Sequence, residues 1–126
     1  MFSHVVVGAS DIDAAKAFYD ATLGVLGVAP GTPMGSRVMY TSPTGNFMVT
    51  TPINGEPATY ANGGTIGFHA VSPEQVDAWH AAGCASGGKS CEDAPGVRDM
   101  GFIKLYLAYL RDADGNKLCA MYRMPN

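Results

Sequence analysis

The sequence predicts an α+β fold of two βαβββ modules, and two internal echoes predict it. The first is a pair of hairpins. Arg37–Ser42 and Phe47–Thr51 flank Pro43-Thr44-Gly45-Asn46, and Tyr106–Arg111 and Lys117–Tyr122 flank Ala113-Asp114-Gly115-Asn116, so Gly45-Asn46 recurs as Gly115-Asn116 at an offset of 115 − 45 = 70. Glycine in each turn supplies the positive φ that a tight hairpin needs. The second echo lies upstream: His4–Ser10 runs into a helical pattern, and so does Ile66–Ser72. Ser10 then maps onto Ser72 at 72 − 10 = 62, which pairs His4 with Ile66. Strand, helix and hairpin recur in one order, as an internal duplication requires.

The elements follow in turn. Phe2–Gly8 reads as a strand, and Ser10 as the N-cap of a helix, with Asp13 three residues on and Asp11 beside it suiting the positive end of the helix dipole. Ile12, Ala15, Tyr19 and Leu23 recur at helical spacing and mark its buried face, and Gly24 is the stop. Val25–Ser36, rich in Gly and Pro, reads as a connection with a short strand near Gly27-Val28. Pro52–Gly64 joins the halves as a surface linker. The division is module one over about 1–56, a linker over about 57–64 and module two over about 65–126, all within a single domain. In the second half Thr65–Val71 is a strand. Ser72 at N-cap, Pro73 at N1 and Gln75 at N3 make a strong helix start, with Val76 and Trp79 turned to the core. Gly83 and Gly87-Gly88 end that helix, and Ser90–Met100, broken by Pro95-Gly96, reads as irregular.

Bulk properties narrow the function. A chain of 126 residues buries roughly two thirds of its unfolded surface. A net charge of −3 offers no basic footprint for nucleic acid. No apolar run approaches the ~18–20 residues of a membrane span. The N-terminus enters Val5-Val6-Val7 without a basic lead, which reads as no secretion signal. Cys84, Cys91 and Cys119 are odd in number and lack Cys-x-x-Cys spacing, so neither a disulfide framework nor a zinc knuckle is implied, and a reduced, cytoplasmic setting is expected.

The ends of the chain carry a family pattern. His4-Val5-Val6-Val7, then Ser10-Asp11-Ile12-Asp13-Ala14-Ala15-Lys16-Ala17-Phe18-Tyr19 and Leu23-Gly24, resemble the opening of the vicinal oxygen chelate superfamily, the group of glyoxalases, bleomycin-resistance proteins and extradiol dioxygenases. Arg111-Asp112-Ala113-Asp114-Gly115-Asn116 and the strand after it resemble its closing signature. The resemblance implies two βαβββ modules curling sheets around a cleft with helices outside. It also implies a homodimer whose cleft forms within one chain or across two, and chemistry of a lyase (lactoylglutathione lyase-like) or dioxygenase type. Metal-using members take divalent-metal ligands from equivalent strand positions, which the match places at His4, near Val49, at Ile66 and at Cys119.

This sequence departs from that donor set. Val49 and Ile66 cannot ligate, no Asp or Glu occurs in Phe47–Thr51 or Lys117–Tyr122, and His4 is the sole imidazole at a ligand position. A catalytic zinc site takes three protein ligands. The expectation is therefore no metal and no other cofactor, with a degenerate site in an apolar cleft that binds a small organic molecule. The alternative is a non-enzymatic protein that sequesters such a molecule. His4 is the candidate acid–base group, or else a strand-end histidine satisfied by backbone or water. Tyr106 is the candidate hydrogen-bond donor, against plain cross-strand packing. Cys119 is a cleft group or a small buried apolar residue; a nucleophilic role would need a thiolate-stabilising neighbour that the local sequence lacks. Met48, Val49 and Ile66 are candidate cleft lining, and Arg98 or Lys104 is a candidate contact for an anionic group, against the default of a solvated cation. His69, at opposite parity to Ile66, is expected to face the helix layer, and His80 to be surface or packing.

Overall fold

The computed structural model describes residues 1–126. Two four-stranded mixed sheets repeat one plan. The first contains β1 (His4–Gly8), β2 (Thr32–Met34), β3 (Arg37–Ser42) and β4 (Gly45–Thr50), ordered β1-β4-β3-β2, with α1 (Ile12–Val25) between β1 and β2. The second contains β5 (Ile66–His69), β6 (Lys89–Asp99), β7 (Lys104–Arg111) and β8 (Lys117–Arg123), ordered β5-β8-β7-β6, with α2 (Pro73–Ala85) between β5 and β6. In each sheet the first strand lies parallel to the last, and the remaining pairs are antiparallel. The expected α+β architecture of paired βαβββ modules is the one observed. No helix is long and apolar enough to cross a membrane.

Alternation along the strands decides what is buried. Val38, Tyr40, Phe47 and Val49 are buried on the helix side of the first sheet, and Ala108, Leu110, Leu118 and Ala120 on the helix side of the second. Tyr19, Leu23, Val76 and Trp79 of the helices fill the space against them, forming one core of 15 buried residues. Tyr19 packs on Phe47 within the first module at 4.9 Å by ring centroid, and Phe47 meets Phe68 of the second sheet edge-on at 5.4 Å. Such aromatic pairs are each worth about 0.5–1.5 kcal/mol beyond area burial.

A polar clasp joins the modules at the start of β8. Asp112, 8 % exposed, accepts from Tyr19 Oη (2.5 Å), from the Asp114 and Asn116 backbone N–H groups and from Asn116 Nδ2, while Asn116 Nδ2 also donates to Gly8 O at 3.0 Å. The two hairpin turns use the glycines expected of them, at φ 150° for Gly45 and 88° for Gly115.

Local boundaries differ from the sequence reading in three places. Asp11, not Ser10, caps α1, accepting from Ala14 N; Ser72 caps α2, accepting from Gln75 N, as expected. Ser10 instead accepts from Ala58 N and donates its own backbone N–H to Asp114, so it ties the linker and the last hairpin to the helix start. The short strand forms at Thr32–Met34, not near Gly27-Val28. Ser90–Met100 is not irregular: Lys89–Asp99 is a strand whose register breaks between Cys91 and Gly96. The bulge takes Pro95 out of the ladder, as a proline in a strand requires, and Arg98 holds it by donating to the carbonyls of Asp93, Ala94 and Gly96.

Two glycines test how closely helix and sheet approach. A Cβ on Gly83 of α2 would lie 2.2 Å from Leu110 Cδ1, whereas one on Gly24 of α1 would meet nothing within 4 Å. Gly24→Ala is expected to stabilise by about 0.5 kcal/mol through helix propensity, and Gly83→Ala to destabilise despite the same gain; paired thermal or urea unfolding checks the opposite signs. Tyr19→Phe, which leaves Asp112 one donor short in a buried site, is expected to cost about 1–3 kcal/mol in the same assay.

Candidate functional site

Register assigns each strand residue to a face, because side chains directly opposite one another share a face and alternate along the chain. Val5 and Val7 of β1 lie beside Phe47 and Val49, on the helix side, which puts His4, Val6 and Gly8 with Asn46, Met48 and Thr50 on the open side. Likewise Ile66 and Phe68 lie beside Leu118 and Ala120, which puts Gly67 and His69 with Cys119 and Met121 on the open side.

The duplication is therefore offset by one residue from the sequence reading. Val5↔Phe47 and Ile66↔Leu118 are the equivalent core pairs, giving 66 − 5 = 61 and 118 − 47 = 71, and the observed caps agree at 72 − 11 = 61. On this register the partner of His4 is Thr65, and the partner of Cys119 is Met48 (119 − 71). Offsets of 62 and 70 inverted the parity.

The candidate residues separate accordingly. Val49 is 0 % exposed in the helix-side core, so it does not line an open face. Ile66 is also on the helix side, and it lines with His4 a hollow of about 200 Å³ where the two modules meet, together with Val5, Tyr40, Asn46, Phe47 and Phe68. Ser3 Oγ lies 2.7 Å from His4 Nδ1, and Nε2 has no partner within the chain. When Nδ1 carries the proton and donates to Ser3, Nε2 presents a lone pair. Met48 and Cys119 lie on the open faces, in separate sheets. Tyr106 is on the helix side, where Oη donates to Asp77 Oδ1 at 2.8 Å; that hydrogen bond, with burial a smaller cause, raises its pKa. Arg98 has its guanidinium on the bulge carbonyls. His69 reverses expectation: it pairs with Met121 on the open side and is exposed. His80, on α2, lies 2.9 Å from Ser90 Oγ, and burial lowers its pKa.

Sequence reasoning passed over the residues around Cys119. Tyr109 is its cross-strand neighbour, Lys117 stands 4.8 Å over the Tyr109 ring, and Glu92, from the bulge of β6, pairs with Lys117. Burial pushes the Cys119 thiol up to about 11 and Glu92 adds to the rise, while the Tyr109 hydrogen bond, Arg98 and Lys117 act against it. Burial, followed by the charges of Cys119 and Glu92, raises Tyr109 as well. Parity along β7, where Ala108 and Leu110 are in the core, puts Tyr109 on the open side and Tyr106 on the helix side.

The four positions related by these offsets hold an imidazole, a thioether, a hydroxyl and a thiol, at His4, Met48, Thr65 just before β5, and Cys119. No three His, Cys, Asp or Glu side chains gather within the chain in a way that could hold a metal ion. The donor set does not fit the metal that this fold commonly carries, and no chemical step is assigned through one.

Residues 1–120 match the family model described as Glyoxalase/Bleomycin resistance protein/Dioxygenase superfamily. The chain belongs to this superfamily. A glyoxalase/bleomycin resistance protein from Albidiferax ferrireducens is 62% identical, with 98% of this chain and 99% of that one covered and a TM-score of 0.95. Two more distant superfamily structures share the fold. A glyoxalase/bleomycin resistance protein/dioxygenase family enzyme from Burkholderia phytofirmans has 18% identity, coverage of 94% and 95%, and a TM-score of 0.72. A lactoylglutathione lyase from Agrobacterium tumefaciens has 21% identity, coverage of 96% and 92%, and a TM-score of 0.64. No curated protein matches the chain.

The protonation of Cys119 is directly testable. Iodoacetamide is expected to label exposed Cys84 first and Cys119 slowly at pH 7.5, with the Cys119 rate rising about tenfold per pH unit toward pH 11, since the thiolate is the nucleophile. Site-resolved mass spectrometry reads this, and equal labelling of both at pH 7.5 would contradict it.

Proposed function

We propose that this superfamily member binds a small organic molecule in an apolar cleft that two copies of the chain complete, with a metal site reduced beyond use. The observation that carries the reading is the direction of the open faces. The sheets meet through their helix-side faces at Phe47 and Phe68, so the faces bearing His4 and Met48, and Cys119 and Tyr109, lie on the sides away from the shared core. Exposed apolar side chains on them, among them Val6, Met34 and Met121, call for a cover. The chain exposes 7269 Å², against ~6,400 Å² for a monomeric protein of its mass. A homodimer that closes these faces accounts for the excess.

In the enzymatic form of this reading, His4 Nε2 takes or returns a proton on the bound molecule, with Ser3 holding the ring. Tyr109 replaces Tyr106 as the phenol of the cleft, and Cys119 serves as a neutral lining group. A proton transfer of this kind fits the lyase-like branch better than oxygen insertion. The second reading, sequestration without turnover, is favoured by the lack of a three-donor set. Neither reading involves nucleic acid, and the reduced thiols fit a cytoplasmic setting.

Sedimentation equilibrium is expected to give twice the 13.1 kDa chain mass; a monomer at micromolar concentration rejects the shared cleft. Elemental analysis showing one divalent ion per chain rejects the metal-free part. His4→Gln is expected to leave the dimer intact and abolish turnover of whatever molecule co-purifies. Retained ligand affinity with no turnover in the native protein would decide for sequestration.

A further inference from the structure

The charges of this chain are unevenly placed. Its net charge is −3, yet six of its eight Lys and Arg residues lie on β6, β7 and β8: Lys89, Arg98, Lys104, Arg111, Lys117 and Arg123. Register sorts them further. Lys89, Arg111 and Lys117 form one row across the three strands, opposite one another, and Arg98 and Arg123 flank Leu105 in a second. All five share the open side with Tyr109 and Cys119, since Leu110 and Leu118, one residue on or back, are in the core. Between the rows the floor is uncharged: Leu107, Tyr109, Cys119 and Met121, with Cys91 and Gly96 beside them. Of the five cations only Lys117 is in an ion pair, with Glu92. Arg98 spends its donors on backbone carbonyls, which satisfy hydrogen bonds but leave its charge in place.

Glu92 is the informative residue. It is the one non-glycine residue with positive φ, at 58°, and it sits where the register of β6 breaks. From there its carboxylate reaches across the sheet to the Lys117 ammonium, which also stands over the Tyr109 ring. A carboxylate of the protein thus occupies the place where a bound anion would be met, next to an apolar floor.

We infer that the open face of the second sheet selects a small organic anion, an apolar body ending in a carboxylate or a similar oxyanion, whose charged end takes the Lys117 position that Glu92 fills in its absence. This rests on the cleft reading above and adds the charge of the ligand. The body lies over Tyr109, Cys119 and Leu107, and two residues of strand, ~7 Å, separate the Lys117 row from the Tyr109 row, so one aryl or short alkyl group spans the distance. Displaced Glu92 is left exposed to solvent, where a carboxylate is comfortable. Cationic drugs are disfavoured on this floor.

Calorimetric titration of the native protein with three probes of one shape tests this: phenylacetate, the neutral phenylacetamide and the cationic phenethylamine. Phenylacetate is expected to bind at least tenfold more tightly than the amide, with the advantage shrinking as salt rises. Lys117→Ala is expected to bring the two probes level, with Lys117→Gln as a second variant should the first fold poorly. Glu92→Gln is expected to tighten phenylacetate several-fold and leave the amide unchanged, which a purely structural ion pair would not do. Equal binding of acid and amide by the native protein, or tighter binding of the amine, overturns the charge selection and leaves the cleft standing. Binding of none of the three overturns both.

Discussion

The buried carboxylate of Asp112 is the point on which the arrangement of the two modules turns. It gathers four donors from three places, namely the α1 tyrosine, the turn before β8 and the Asn116 side chain, and Asn116 in turn holds the last carbonyl of β1. Leaving a buried carboxylate without partners is among the costlier faults a fold can carry. The geometry that satisfies it therefore fixes where β8 starts relative to β1 and α1. Tyr19 also sits in the aromatic cluster that reaches Phe68, so one residue joins the polar clasp to the apolar core. Burial and the Asp112 charge drive the Tyr19 pKa far above its ordinary value, so the phenol stays a donor at any accessible pH.

With the modules held back to back by the clasp and the helices, what remains on the far side of each sheet is available for chemistry. On the first sheet that side carries one full charge, Arg37, among methionines, threonines and His4; on the second it is cationic around a thiol and a phenol. The superfamily plan assigns the working residues to these faces. On them this chain holds Met48 and Cys119, with the paired carboxylate and ammonium of Glu92 and Lys117 beside Cys119.

Much of the fold was legible because its signals are local. Ser72-Pro73-Glu74-Gln75 starts a helix wherever it occurs, and glycine at two hairpin turns is chemistry that the backbone demands. The site was less legible because it hangs on parity, and parity is lost by one residue. Ser10 and Asp11 are both acceptable caps; choosing Ser10 gave 62 where the chain uses 61, and the error turned His4's partner from Thr65 into Ile66. The same slip sent His69 to the helix layer when it is exposed, and the hairpin match, 70 where the chain uses 71, sent Val49 to an open face when it belongs to the core. β6 was hidden for a different reason: Pro95 and Gly96 oppose a strand on propensity, and only the Arg98 clamp, a contact across the bulge, shows why one forms.

The backbone at Glu92 carries a trade that the side-chain view conceals. A residue with a Cβ held at φ 58° sits about 1 kcal/mol or more above what glycine would pay there, and asparagine would also fit better. Keeping glutamate at that spot means the domain accepts a standing local cost to hold a negative group out over β8. Drift toward a more stable protein would run through the loss of that acid, so the thermally sturdiest descendants of this chain would also be the ones whose second sheet had lost its built-in counter-ion.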